Sequence, residues 1–216
     1  MRAASINGLR TLEPVGNRSA KERPREEHHG LRARDLLLPG LLVLGAGAVV
    51  AGFTVARPVG NPNVPEPAKP VDLNRYLGRW FELARYDAGF EQGCEAATAE
   101  YALRTDGLIR VLNICHQGSV DGPTLFAEGK ARVVDGSGGA KLKVSFFGPF
   151  YFGNYWVLDH AEDYAWSIVG EPTGKYLWIL SRDPTPSEAD RDMLVERARD
   201  LGYDTSLLRI TKQKPA

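Results

Sequence analysis

The sequence predicts an all-β domain, an eight-stranded antiparallel up-and-down β-barrel with one C-terminal α-helix packed on its outside. Short apolar and aromatic runs alternate with turn signals between residues 79 and 182. The links between runs are tight, as at Thr105-Asp106-Gly107 and Glu171-Pro172-Thr173-Gly174, so consecutive strands are predicted to be antiparallel neighbours. Apolar residues at helical spacing follow the last run, which predicts a helix lying on the sheet.

The N-terminal 70 residues differ in composition from this domain. Residues 1–35 are polar and lack an apolar period, which predicts disorder. Residues 36–56 are 21 uncharged residues, enough to cross a bilayer of roughly 30 Å, and predict either a transmembrane anchor or the apolar region of a cleaved signal. Residues 57–70 contain five prolines and predict an extended linker. The globular domain is predicted over residues 71–212.

The charges around the apolar run predict export. Arg32 and Arg34 lie just before it, and fewer basic residues follow it than precede it, which places the C-terminal part outside the cytoplasm. Because a 35-residue segment is long ahead of a signal, we also predict a later translation start near Leu31. No cysteine lies near the run, so a lipid-modified N-terminal cysteine is not expected.

Composition excludes several classes of function. The chain has 27 Lys and Arg residues against 27 Asp and Glu residues, so no basic excess indicates a nucleic-acid partner. Neither a nucleophile elbow, a Ser/His/Asp order nor a phosphate loop is present. No zinc-ligand spacing occurs either, so we predict no metal and no cofactor.

Eight runs are the predicted strands of the barrel. Their bounds are Arg79 to Tyr86, Ala97 to Arg104, Leu108 to Cys115, Thr124 to Val134, Ala140 to Phe147, Asn154 to Asp159, Tyr164 to Gly170 and Tyr176 to Arg182.

The helix signals follow the eighth strand. Thr185 is the predicted N-cap, Pro186 suits the first helical position and Glu188 completes a capping box. Gly202 is predicted to end the helix. A short tail strand is predicted at residues 207–210.

An aromatic stretch, SFFGPFYFGNYW at residues 145–156, is interrupted by Gly148-Pro149 and Gly153. The interruptions favour a wall that bends and opens at its rim, where the rings could contact a ligand. The alternative is that these rings fill the core.

Several sequence blocks resemble the lipocalin family, specifically the bacterial lipocalins related to apolipoprotein D. The block NRYLGRWFELARY at residues 74–86 contains a Gly-x-Trp motif at Gly78 and Trp80, and YLWILSRDP at residues 176–184 contains Arg182. Asp163-Tyr164 lies at the turn between them, and KVSFFGPFY at residues 143–151 resembles a block of this branch.

The resemblance implies that Gly78, Trp80 and Arg182 close one end of the barrel, with the Arg182 guanidinium on the face of the Trp80 ring. If Trp80 and Arg182 point inward, the two-residue period places alternate residues of both strands on the same face. The predicted ligand-binding residues are Glu82, Tyr86, Tyr176 and Trp178 from these two strands, together with Phe150 and Tyr155 from the aromatic stretch. Glu82 is alternatively a structural partner of Arg182 or of a backbone donor.

Cys94 and Cys115 fit an exported domain as one disulfide, with Cys94 on a loop folded back over the barrel mouth. Two free thiols, or a metal site at Cys115-His116, are the alternatives.

The resemblance implies a binding protein for a small hydrophobic ligand, a fatty acid, lysophospholipid or other lipid, that acts in the bacterial periplasm in membrane maintenance. It would be anchored in the inner membrane or soluble after cleavage, whereas an outer-membrane lipoprotein is not expected. Two alternatives remain: a lipocalin-fold enzyme acting on a lipid-like substrate, and a structural barrel whose own side chains fill its cavity.

Overall fold

The computed structural model describes residues 58–215. The predicted disordered segment at residues 1–35 and the apolar run at residues 36–56 lie outside the described residues. Nine strands and two α-helices make up the domain: α1 (Leu73–Tyr76), β1 (Gly78–Tyr86), β2 (Cys94–Leu103), β3 (Ile109–Gln117), β4 (Thr124–Val133), β5 (Lys141–Ser145), β6 (Gly153–His160), β7 (Trp166–Gly170), β8 (Leu177–Ser181), α2 (Glu188–Asp200) and β9 (Leu208–Ile210).

The first eight strands close into an antiparallel barrel, which confirms the predicted fold class. Each strand pairs with its neighbour in sequence, and β1 pairs with both β2 and β8. One end, the closed end, carries α1 and the short turns β2–β3, β4–β5 and β6–β7, whereas the other, the open end, carries the loops β1–β2, β3–β4, β5–β6 and β7–β8.

The C-terminal segment completes the sheet near the open end. β9 pairs with the second half of β1. Beyond it, the amide of Thr211 donates to the Leu83 carbonyl, and the amide of Ala96 on β2 donates to the Lys212 carbonyl. Residues 211–213 therefore bridge β1 and β2 where these two strands no longer pair directly.

Several element bounds differ from the prediction. Cys94 begins β2 instead of lying on the preceding loop. The seventh strand begins at Trp166, because Tyr164 adopts a left-handed φ of 62° that belongs to a turn. Ser187 caps α2 in place of Thr185, since its side chain accepts from the Asp190 amide.

The described part of the predicted extended linker, residues 58–70, contacts the folded domain along its length. The amide of Gly60 donates to the Gly174 carbonyl at 2.9 Å, and Lys69 pairs with Glu162 at 2.9 Å. Asn61 is only 2% exposed, and its amide donates to the Leu201 carbonyl. The segment is therefore extended, and hydrogen bonds and an ion pair hold it on the surface of the domain.

Two apolar clusters divide the core between the inside and the outside of the barrel. The interior cluster contains Trp80, Tyr101, Val111, Leu142, Val169 and Leu180. The outer cluster joins the sheet to α2, through Leu83, Ile168, Ile179, Leu194 and Ala198. The helix therefore packs outside the barrel, as predicted. Within residues 58–215, no helix has the length and apolar character to span a membrane.

Candidate functional site

The closed end is sealed by Trp80 and Arg182. Trp80 is fully buried, and the Arg182 guanidinium carbon lies 3.8 Å from the centroid of its ring. Arg182 also donates to the carbonyls of Arg79 at 2.5 Å and Leu77 at 2.8 Å. Gly78 adopts a φ of +94°, and a Cβ there would lie 3.4 Å from Nη1 of Arg182, so glycine fits this corner.

Three tyrosine hydroxyls lie above this seal. The Tyr76 hydroxyl lies 2.8 Å from that of Tyr155 and 3.0 Å from Oγ of Ser167. The Tyr101 hydroxyl donates to that of Tyr155 at 3.0 Å. Burial raises the pKa of Tyr76 to about 12, and it raises the pKa of Tyr155 well above its ordinary value. This part of the interior is therefore uncharged and fully hydrogen-bonded.

A bulge in β1 changes which side chains point inward. Glu82 is opposite Leu180 in the interior, but the register then shifts so that Ala84 is opposite Ile179 and Arg85 is opposite Trp178. Ile179 belongs to the outer cluster, whereas Trp178 packs against the interior one. Arg85, and not Ala84, therefore returns to the interior.

The bulge makes the prediction for Tyr86 wrong, because its side chain does not share a face with Trp80. Tyr86 packs in the outer cluster, 5.9 Å from Tyr203 between ring centroids. Its hydroxyl donates to the Asp204 carbonyl at 2.8 Å. Tyr86 holds the C-terminal segment on the barrel wall.

Glu82 lies in the interior, as parity predicts, but its charged partner is Arg85 and not Arg182. Both side chains are buried, and Nη1 of Arg85 donates to the Glu82 carboxylate at 2.5 Å. The Thr211 hydroxyl donates to the same carboxylate oxygen. The pair is desolvated and fixed by the C-terminal segment.

A second carboxylate, Glu91, approaches this pair from the β1–β2 loop. It ends a 3-10 turn at residues 89–91. Its Oε2 accepts from the indole N–H of Trp178 at 3.2 Å and lies 3.7 Å from Nε of Arg85. Burial, and then repulsion from Glu82, raise the pKa of Glu91 to about 8 despite the nearby Arg85.

Aromatic side chains surround the mouth of the barrel. Tyr176 stacks on Trp178 with 5.7 Å between ring centroids, and Phe90 lies 5.8 Å from Tyr176. Phe150 lies on the β5–β6 loop, 61% exposed, and stacks on Phe152. The structure thus places Tyr176 and Trp178 at the mouth and Phe150 on the rim, so the predicted ligand contact of Phe150 remains a prediction for a rim residue.

The predicted disulfide joins Cys94 to Cys115, with 5.4 Å between the Cα atoms. It links β2 to β3 near the open end and confirms the pairing over the free thiols and the metal site. The part of the chain that the structure describes has no group of three or more potential metal ligands.

Sequence reasoning missed Arg85 and Glu91. A charged residue between Ala84 and Tyr86, inside an otherwise apolar strand, was the available signal for Arg85, since a buried charge needs a built partner. Glu91 lies on an irregular loop, where no periodicity indicates its direction.

Comparison with known proteins identifies the family of this domain. A family model described as "Lipocalin-like domain" matches residues 71–213. The chain is 45% identical over 155 residues to the "Outer membrane lipoprotein Blc" of Vibrio cholerae, with 70% of this chain and 90% of that protein covered. It is 43% identical over 170 residues to the protein of the same name from Escherichia coli K12, covering 77% and 93%.

A more distant relative and a solved structure also match the chain. Apolipoprotein D of Macaca fascicularis is 31% identical over 182 residues, covering 81% of this chain and 95% of that protein. Among solved structures, insecticyanin from Manduca sexta superposes with a TM-score of 0.56 at 21% identity, covering 71% of this chain and 86% of that one.

Proposed function

The chain belongs to the lipocalin family, resembling the Blc proteins and apolipoprotein D, and from this premise we propose that it binds an acyl-chain lipid inside the barrel and carries it in the cell envelope. The fold and the relatives support the coarser statement, that the ligand is small and hydrophobic. The proposal that the ligand is a single-chain lipid, such as a fatty acid derivative or a lysophospholipid, rests on the apolar and partly buried side chains of the barrel interior.

The observation behind the proposal is an apolar interior that its own side chains do not cover completely. Near the closed end Trp80, Tyr76 and Tyr101 are buried. Other apolar side chains that pack on the interior cluster are only partly buried: Ala99, Val133, Val144, Phe146, Tyr155 and Trp178. An acyl chain against such a wall gains about 0.8 kcal/mol per buried methylene, which exceeds the cost of association for a long chain.

Native mass spectrometry of the full-length chain, exported in cells, tests the proposal. We expect a stoichiometric adduct with the mass of one lipid, identified after denaturation. A matched pair of variants sharpens the result: Ala99→Trp fills the interior beside Trp80 and should abolish the adduct, whereas Phe152→Ala on the rim should retain it. A barrel that stays empty when offered lysophospholipid and fatty acid would favour the self-filled structural barrel instead.

We propose further that the protein is a carrier and not an enzyme. The support is that the interior groups most suited to acid or base chemistry are engaged in structural contacts, Glu82 with Arg85 and Tyr76 with Ser167. Incubation with the identified lipid, followed by mass analysis, should return the lipid unchanged. A cleaved or modified product would support the lipocalin-fold enzyme.

For location, we propose an exported domain that is held at the inner membrane through residues 36–56 or released by cleavage. The relatives' names place them at the outer membrane as lipoproteins, whereas Cys94 and Cys115 are joined to each other in the disulfide. Membrane fractionation with N-terminal sequencing separates these cases. Recovery of a lipidated form in the outer membrane would contradict the proposal.

A further inference from the structure

The buried guanidinium of Arg85 has an unsatisfied donor. Arg85 is fully buried; Nη1 donates to Glu82 and Thr211, and Nη2 donates to the carbonyls of Glu91 and Cys94. Among the described residues, Nε has no hydrogen-bond acceptor. The Glu91 carboxylate, 3.7 Å away, is too far for a hydrogen bond. A buried donor in this state is costly and indicates a missing acceptor.

A second donor converges on the same place. Arg85 and Trp178 are opposite each other on β1 and β8, and both point to the interior. The indole N–H of Trp178 donates to the same Oε2 of Glu91, at 3.2 Å. Two donors on the rigid wall thus face one position, which a side chain from the loop fills incompletely.

The Glu91 side chain is able to leave this position without breaking the sheet. It lies on the three-residue turn at residues 89–91, outside the strand ladders, and its side chain remains 19% exposed. Its neighbour Phe90 is 49% exposed at the mouth. Elements of this kind open locally at low cost compared with paired strands.

The charges around the position disfavour a second anion. Glu82 already neutralises Arg85 at 2.5 Å. The other charged group acting on Glu91 is Asp87, a third carboxylate, which lies 3.6 Å from Arg209. Burial and the two neighbouring carboxylates keep the pKa of Glu91 near 8, so the protein's own acid is protonated here at neutral pH.

From these contacts we infer that the polar head of the ligand replaces the Glu91 side chain between Arg85 and Trp178, and that this position selects an uncharged acceptor over an anion. An ester, an alcohol or a protonated acid has the right chemistry. Such a head supplies the acceptor that Nε of Arg85 lacks, while Glu91 moves into solvent and ionises. The inference rests on the proposed function and adds the chemical class of the head group.

A matched series of ligands with one chain length tests the selection. Methyl laurate, dodecanol and laurate would compete with a fluorescent naphthylamine probe for the full-length protein at pH 7.5. We expect the ester and the alcohol to bind at least about tenfold more tightly than laurate. Laurate binding as tight as the ester would overturn the inference alone. Binding of none of the three would overturn the proposed function, and the inference with it.

Displacement of Glu91 should make the affinity for an uncharged ligand depend on pH. Glu91 is protonated in the free protein and ionised once displaced, so binding of methyl laurate releases a proton. Its affinity should therefore rise by up to about tenfold per pH unit between pH 6 and 8. Laurate must take up a proton as Glu91 loses one, so its affinity should stay nearly flat. Ester binding without pH dependence would overturn the displacement.

Two conservative variants separate the roles of the carboxylates. Glu91→Gln has no proton to release, so it should bind the ester without pH dependence. Glu82→Gln leaves Arg85 without its counter-ion, so it should shift the preference toward laurate, raising laurate affinity relative to ester affinity about tenfold. If circular dichroism shows that Glu82→Gln does not fold, the pH dependence of ester binding in Glu91→Gln is sufficient to test the inference. Retained pH dependence in Glu91→Gln contradicts the inference.

Discussion

The two ends of this barrel are built from the same strands but differ in two respects: how fully their polar groups are hydrogen-bonded, and how deeply their aromatic rings are buried. At the closed end Trp80 is fully buried under Arg182, whose guanidinium donates to four backbone carbonyls. At the open end Phe152 is 80% exposed, and Arg85 retains a buried donor that has no acceptor among residues 58–215. The closed end is therefore the better-packed part of the barrel, and the unsatisfied donor at the open end agrees with the proposal that the ligand binds there.

The largest effect is expected where the closed end is broken. Trp80→Ala removes a fully buried ring at 0% exposure and leaves a cavity, which should lower the free energy of unfolding by about 3–5 kcal/mol. Urea denaturation followed by far-ultraviolet circular dichroism measures it. A loss below about 1 kcal/mol would mean that Trp80 does not seal the barrel.

A smaller effect is expected from the covalent link near the open end. Cys94 and Cys115 are 21 residues apart, so replacing both with serine should cost about 3 kcal/mol through the greater freedom of the unfolded chain. The midpoint of thermal unfolding should fall by the same amount in the double variant and in the reduced wild type. Different shifts would indicate that serine perturbs the folded state.

High pH should weaken the tyrosine cluster at the closed end. The pKa of Tyr76 is raised to about 12, so its folded form keeps a proton that the unfolded chain loses from about pH 10. Stability is therefore fully present below about pH 10 and falls above it, by up to about 1.4 kcal/mol per pH unit for each buried tyrosine. Denaturation at several pH values measures the slope, and Tyr76→Phe should reduce it. An unchanged slope in that variant would contradict the assignment.

The smallest effect is expected at the rim. The double variant Phe150→Ser, Phe152→Ser replaces side chains that are 61% and 80% exposed, so stability should change by less than about 0.5 kcal/mol. The same denaturation assay applies. A loss comparable to that of Trp80→Ala would remove the distinction between the two ends.

The fold could be predicted because it follows from local signals that act independently. Alternation and tight turns defined the eight strands, and the Gly-x-Trp block located Trp80. The site was less accessible, since one extra residue in β1 reverses every later side chain, which is why Tyr86 was misplaced and Arg85 was missed. Glu91 depends on the course of a loop that no periodicity encodes. The cap of α2 was misassigned because Thr185 and Ser187 are both good caps, and only the contact to Asp190 distinguishes them.

The position of the C-terminal segment determines when the molecule can be completed. Gln213 donates to the carbonyls of Glu82 and Ala97, and the second of these contacts spans 116 residues of sequence. Beyond the stretch where β1 and β2 pair directly, the wall between them is therefore completed by a segment that lies far from both strands in sequence. Contacts of such long range form slowly, so we expect the half of the barrel that holds Arg85 to be completed late in folding.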